Sequence, residues 1–519
     1  MIPRSASRSR WVGAAGLATV ALFLALVVRF WHPVYGFTVF FQLDAPNDDL
    51  KITAFRELPV YVHRDTGGYD GLYYAQIAHD PSLRDRELPR AMDNFAYRAR
   101  RILPPALAWV LGLGQPAWII HTYALLNIAA WLALAVILWR LLHVSDWRGW
   151  LAWAGVLFSA GALSSVRLAL TDLTALTLIA AALLAAERMR GPLAVGALAC
   201  AGLARETSLL VATGLVEAPW FARKNVLRLV LIATPLALWL GYVHWRVGPA
   251  DAGWANFTWP GTGLAEKWHA AIDALSTVAD KPLAWTTLLA TFALTVQAAF
   301  FFTRPQFGER WWRIGAAHAV MLLFLGTAVW EGFPGAATRV LLPLNLAFNI
   351  IVCRTRASLA WLVLGNLTVF AGLLAMRDVP HDSTELVAQR LGRSSAIVRF
   401  GPDWFGREHD RKHVWLWAKA RGTLTLEVLP APSAALRFEF ALRSIIPRTV
   451  ILRHDGREVW RAEIGPVLAR HAVTLPAGAA AISTLEFSSP TPAVPENTAS
   501  GARELAFALY DLRLALPER

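Results

Sequence analysis

An acid opens a short amphipathic stretch, Tyr69-Asp70-Gly71-Leu72-Tyr73-Tyr74-Ala75-Gln76-Ile77-Ala78, on a polar loop that follows the first apolar run. Tyr73 with Ile77, and Tyr74 with Ala78, fall at helical i, i+4 spacing, which predicts a helix here. Gly67-Gly68 come before it and permit a sharp backbone turn, and Asp80-Pro81 ends it. Asp70 therefore stands at the helix N-terminus. It has two readings. It caps the helix, or it points at whatever the loop covers and takes a proton from a reacting hydroxyl. A carboxylate held beside hydrophobic spans suits a reaction at a bilayer surface.

Other ionisable residues sit where charge is costly. Asp172, in Leu168-Ala169-Leu170-Thr171-Asp172-Leu173-Thr174, lies at the end of an apolar helix. An acid at such depth is a functional hint, with Thr171 as an alternative cap. Arg205-Glu206 interrupts another apolar run and reads as an internal ion pair bracing a broken helix. Arg339 follows Gly335-Ala336-Ala337-Thr338 at a span end. It reads either as a snorkelling anchor or as an anion contact. Arg98, Arg100 and Arg101 form a basic cluster whose simplest partner is a phospholipid headgroup. The remaining acids of the 31–100 loop (Asp44, Asp48, Asp49, Glu57, Asp65, Asp80, Asp85, Glu87 and Asp93) read mostly as solvated surface groups. His63 and His79 flank the motif, but no His/Cys/Asp set has zinc spacing. Neither a nucleotide-type Gly-rich loop nor a Gly-x-Ser-x-Gly elbow occurs.

The elements that must position these residues are membrane spans. Hydrophobic residues make up 56% of the 519 and charged residues only 17%, against about 25% charged in soluble domains. Mean hydropathy is +0.41. The 24 Trp suit repeated interface crossings. The net charge of +13 does not mark a nucleic-acid binder, because many Lys and Arg sit in short loops between apolar runs. The two cysteines, Cys200 and Cys353, read as buried thiols rather than a disulfide.

Runs long enough to cross lie near 11–30, 116–142, 149–165, 169–187, 226–247, 283–303, 311–331, 337–353 and 357–376. The first, behind Arg4, Arg8 and Arg10, reads as a retained span rather than a cleaved signal. The segment 192–221 reads as a hairpin of two short helices. The count is thus about nine to eleven transmembrane helices. With the hairpin, the basic loops (Arg140 and Arg148; Arg188 and Arg190; Arg223, Lys224 and Arg228; Arg304, Arg310 and Arg313; Arg354 and Arg356) share the cytoplasmic side. The loops at 31–100, 164–171, 248–282 and 332–336, and everything after about 378, face outward.

The expected division is a multi-span domain over 1–377 and an extracytoplasmic domain over 378–519. In the latter, apolar runs shorten and alternate, as in Leu424-Thr425-Leu426-Glu427-Val428, Leu436-Arg437-Phe438-Glu439-Phe440, Val450-Ile451-Leu452 and Leu505-Ala506-Phe507-Ala508-Leu509. Turn signals at Asp455-Gly456 and Pro476-Ala477-Gly478 separate them. This predicts an antiparallel, jelly-roll-like β-sandwich of roughly eight strands. Trp404, Trp415, Trp417 and Trp460 read either as sugar-stacking faces or as core.

The 69–78 motif, the long first outer loop, the multi-span core and the outward C-terminal domain together resemble the GT-C superfamily of membrane glycosyltransferases, such as the protein O-mannosyltransferases and lipid A aminoarabinose transferases. The motif likeness is confined to 69–105, 165–175 and 339. A nearer likeness is to bacterial cell-surface glycopolymer proteins with Tyr-Asp-Gly, then Tyr-Arg and a basic-Pro segment. Here those are Tyr97-Arg98 and Arg100-Arg101-Ile102-Leu103-Pro104-Pro105. Gly71 stands where many GT-C enzymes carry a second acid, so the acidic pair that could bind a divalent metal is missing.

The resemblance implies an inverting transfer of a sugar from a polyprenyl-phosphate donor to a cell-surface glycan, lipid or protein. It would occur on the extracytoplasmic face of a bacterial inner membrane. Asp70 would be the base and Asp172 a second catalytic acid. Arg98, Arg100, Arg101 and Arg339 would meet the lipid phosphate, with Tyr73, Tyr74 and Tyr97 also binding substrate. The partners implied are the lipid-linked sugar, a glycan or lipid acceptor and membrane lipids. No cofactor beyond that donor is indicated. Two other classes compete. A flippase of lipid-linked glycan would show mid-span charge pairs and inverted repeats, and no repeat is evident. A glycan-binding scaffold would leave Asp70 facing solvent.

Overall fold

The computed structural model describes residues 4–48, 50–64, 66–249, 253–277, 281–331, 335–392, 394–410, 412–430, 434–476, 481–497 and 502–516. Asp49, Asp65 and the turn residues Ala477 and Gly478 lie outside them. The chain forms two compact units. One comprises Met1–Trp31, Phe37–Phe55 and Val60–Val379; the other comprises His32–Gly36, Arg56–Pro59 and Pro380–Arg519.

The first unit is helical. Among the described residues, Trp11–Val28, Pro116–Leu141, Arg223–Val247 and Lys281–Thr303 are long and apolar enough to span a membrane. Trp147–Leu157 with Ala160–Arg167 makes a fifth candidate, bent by 42°. The other apolar runs are interrupted or short as helices. At Ser159 the side-chain hydroxyl donates to the Val156 carbonyl and accepts from Ala162 N–H, which starts a new helix. The run 311–331 stops as a helix at Phe324 and resumes at Thr327. The run 337–353 breaks at Leu341, ahead of Pro343. The run 357–376 breaks at Asn366, whose Nδ2 bonds the Leu362 carbonyl and Asn349 Oδ1.

The expected hairpin at 192–221 is a helix, Gly191–Ala204, followed by a 3-10 helix, Glu206–Gly214. Cys200 and Cys353 are free thiols, but Cys200 is exposed and Cys353 half-buried, so neither is a core thiol.

The long first loop is knit rather than loose. Leu43–Asp44 pairs in parallel with Val62–His63. The Gln76 side chain accepts from Ile52 N–H and donates to the Ala91 carbonyl, tying three parts of the loop together. Around this anchor lie the helices Gly71–Ile77 and Phe95–Ala99.

The second unit stacks two antiparallel sheets. The six-stranded sheet runs Arg457–Ile464, Arg448–His454, Ile482–Ser488, Arg421–Leu429, Ser394–Phe400, Glu385–Leu391. The five-stranded sheet runs Ala469–Leu475, Leu436–Ser444, Phe507–Ala515, Val414–Trp417, Glu408–His409. Leu424, Leu426 and Val428 face Phe438, Phe440 and Leu442 across one core. That is the period-two alternation read from the sequence. The strands beyond the roughly eight expected are short or polar, such as Glu408–His409 and Ala469–Leu475. Trp404 and Trp417 are buried, Trp415 stacks on Tyr510, and Trp460 meets Phe440 edge-on. All four rings take part in packing, Trp415 and Trp460 while half-buried.

Candidate functional site

Asp70 is at the N-cap position of helix Gly71–Ile77, but its side chain makes no capping bond. The capping role is thus vacant. The carboxylate turns instead to Arg98, whose Nη1 lies 2.8 Å from Oδ2. The next residue must be glycine, because a Cβ at Gly71 would meet the Leu168 carbonyl oxygen at 2.2 Å. The second acid seen in the resembling enzymes has no room on this backbone.

Arg98 sits on helix Phe95–Ala99, whose start is fixed by Asn94 Oδ1 accepting from Tyr97 N–H. Its Nε and Nη2 also form a fork onto Asp93, at 3.1 and 2.7 Å. The guanidinium lies near the rings of Tyr73 and Tyr97, at 5.1 and 5.5 Å from their centroids. Burial opposes its charge, but the Asp93 hydrogen bond and the Asp70 charge outweigh burial and raise its pKa. The same balance lowers the pKa of Asp93: burial opposes the charged carboxylate, and Arg98 overcomes it. Burial raises the Tyr73 phenol, with Asp93 adding to the effect.

Arg101 is buried behind this pair. It donates to the Tyr74 hydroxyl at 2.9 Å, to the Tyr97 hydroxyl at 3.1 Å and to Glu206 Oε2 at 3.2 Å. Arg100 lies 5.4 Å from the Tyr97 ring centroid. Arg339 is buried and donates to the Tyr69 hydroxyl at 2.7 Å, and its Nη1 is 3.4 Å from Asp172 Oδ2. The other Asp172 oxygen pairs with Arg205. Asp172 is thus a buried carboxylate between two guanidinium groups. Thr171 makes no capping bond.

The turn before Asp172 is held from outside it. Asn127 Nδ2 donates to the carbonyls of Ser165 and Leu170, and the Tyr123 hydroxyl to that of Ala169.

These groups converge on one cavity of about 800 Å³. Asp70, Tyr73, Tyr97, Arg98, Arg100, Arg101 and Arg339 line it. So do Tyr69, Asp93, Arg205 and Glu206, while Phe257, Met321, Leu325 and Val329 supply an apolar wall. Tyr74 and Asp172 do not reach the cavity; they hold the arginines that do. Of the groups taken as surface acids, Asp44 and Asp93 line the cavity, and Asp44 is buried. Arg205 and Glu206 do not brace each other as expected. Each pairs elsewhere, Arg205 with Asp172 and Glu206 with Arg101. The signal that could have found them is their position inside an apolar run.

The arrangement can bind an anion through several guanidinium groups and present one carboxylate beside it. Among the described residues, no group of three or more His, Cys, Asp or Glu gathers as a metal-ion site.

No protein-family model matches the chain, and no curated protein matches it. Among solved structures, the arabinosyltransferase EmbB from Mycobacterium smegmatis is similar at a TM-score of 0.25 and 13% identity, over 86% of this chain and 62% of that one. The chain therefore spans less than two thirds of that protein's length.

Proposed function

We propose that this chain is a GT-C-type membrane glycosyltransferase that moves a sugar from a polyprenyl-phosphate donor to a cell-envelope glycan, lipid or protein. The observation that supports this reading is the shared cavity: Asp70 beside Arg98, Arg100, Arg101 and Arg339, opposite an apolar wall. An amphiphile with an anionic head and a lipid chain matches that division. The sequence resemblance of 69–105 supports the sugar as the group transferred.

The acceptor hydroxyl oxygen attacks the anomeric carbon. The bond from that carbon to the phosphate oxygen breaks, and its electron pair leaves with the polyprenyl phosphate. The hydroxyl proton passes to the Asp70 carboxylate. Attack opposite the leaving group inverts the anomeric centre. The arginines offset the charge that develops on the phosphate. Tyr73 and Tyr97 border the sugar. Tyr74 and Asp172 act through the arginines they hold, so Asp172 is a positioning residue in this scheme. The membrane would be a bacterial inner membrane, and the placement of Lys and Arg supports the cavity lying on its extracytoplasmic side.

The test is Asp70→Asn, which keeps the shape and removes the base. Transfer in nanodiscs should fall by about a hundredfold or more at unchanged expression. Near wild-type transfer would rule Asp70 out as the base.

A further inference from the structure

The segment that closes the apolar side of the cavity carries large aromatic side chains exposed at its surface. Trp254 is 77% exposed, Trp259 83% and Phe257 46%. Single exposed apolar residues are ordinary. Three within six residues form a patch and require a partner.

The patch is rigidly presented. Phe257 forms an antiparallel bridge with Leu325. Thr258 N–H donates to the Phe324 carbonyl, Gly261 N–H to that of Leu323, and Gly326 N–H to that of Asn256. The backbone thus docks on the break after helix Arg310–Phe324. Gly263 allows the close approach, since a Cβ there would meet the Leu325 carbonyl oxygen at 2.2 Å. Ala255, Asn256 and Phe257 face the cavity from this segment.

The position of the segment names the partner. It connects two candidate spans, Arg223–Val247 and Lys281–Thr303. A chain that leaves one span and enters the next begins and ends on the same side of the bilayer. Trp245 and Trp285, near the span ends that this segment joins, are also exposed. Indole rings at span ends mark the headgroup level. The Trp254–Trp259 patch continues that belt.

We propose that Trp254, Phe257 and Trp259 insert into the lipid leaflet on the cavity's side of the membrane and form a lipid-facing lip. The partner is the bilayer itself, at the boundary of headgroups and acyl chains. The apolar wall of the cavity then meets lipid rather than water.

The test uses the full chain in phospholipid nanodiscs, with Cys200→Ala and Cys353→Ala removing the native thiols. Trp254→Cys and Trp259→Cys are made singly and labelled with an environment-sensitive fluorophore. Phe257→Cys replaces either one that fails to reconstitute. Phospholipids carrying a nitroxide on the upper acyl chain should remove most of the emission, and aqueous iodide little. Iodide quenching that exceeds lipid quenching at either position overturns the proposal. No sugar transfer enters this readout, so it is decided separately from the proposed reaction.

Discussion

Arg98 Nη1 lies 2.8 Å from Asp70 Oδ2, while the same guanidinium grips Asp93 through its other nitrogens. One arginine therefore orients the cavity's candidate base and is itself held in place by a second acid. Replacing Asp93 releases that grip without touching Asp70. Asp93→Asn should lower kcat/KM of transfer less than Asp70→Asn does, by about tenfold or less. The basis is one charge-assisted contact, worth roughly 1.5–3 kcal/mol when lost, partly retained here through Asp70. Equal losses in the two variants would show that Asp93 acts on the substrate directly.

Asp172, itself buried, holds two arginines at once. Asp172→Ala strands both charges, and breaking a buried pair costs about 3–5 kcal/mol. Arg339→Ala leaves Asp172 still paired with Arg205. Thermal unfolding in detergent should therefore show the larger stability loss for Asp172→Ala. Donor KM should rise in Arg339→Ala, because Arg339 lines the cavity. An unchanged KM would return Arg339 to a purely structural part.

Gly71 leaves no space for a side chain against Leu168. Gly71→Ala should cost about 1–3 kcal/mol by overpacking. Gly71→Asp, which writes in the acidic pair of the resembling enzymes, should lose transfer rather than gain metal-dependent activity. Full activity in Gly71→Asp would contradict the close approach.

His63 and His79 are held neutral. Burial lowers the pKa of each to about 4. His63 Nε2–H donates to the Val39 carbonyl. The unfolded value is near 6.5. Protons therefore bind the unfolded chain first. The stability each ring provides is complete above about pH 6.5 and declines as pH falls from there towards 4, below which both states are protonated. The decline is at most about 3 kcal/mol per ring. Stability of the wild type against unfolding should fall between pH 7 and pH 4.5. His63→Asn should reduce that dependence, and an unaltered pH profile would count against a buried neutral ring.

Orientation can be read by a reporter fused after Arg519. A periplasm-active enzyme should be active there and a cytoplasm-active one silent. The reverse would invert the orientation read from the Lys and Arg placement.

What the sequence determined by itself was local. The helix at 71–77 follows from Tyr73 with Ile77 and Tyr74 with Ala78 at i, i+4 spacing, and the sandwich strands from period-two alternation. Both are patterns within a few residues, which backbone geometry enforces directly. The cavity was legible only in part: Asp70, Arg98, Arg101 and Arg339 stood out as charges in unusual places, but their partners did not. Asp70 meets Arg98, Asp172 meets Arg205 and Arg339, and Glu206 meets Arg101. Those pairings join distant parts of the chain and leave no periodic trace. Arg205 and Glu206 show the reason most clearly. Adjacent residues at a helix end do not face each other, so neighbours in sequence found separate partners in space. Only the packing of the interrupted helices decided which charge met which, and it also decided that Gly71 had to remain without a side chain.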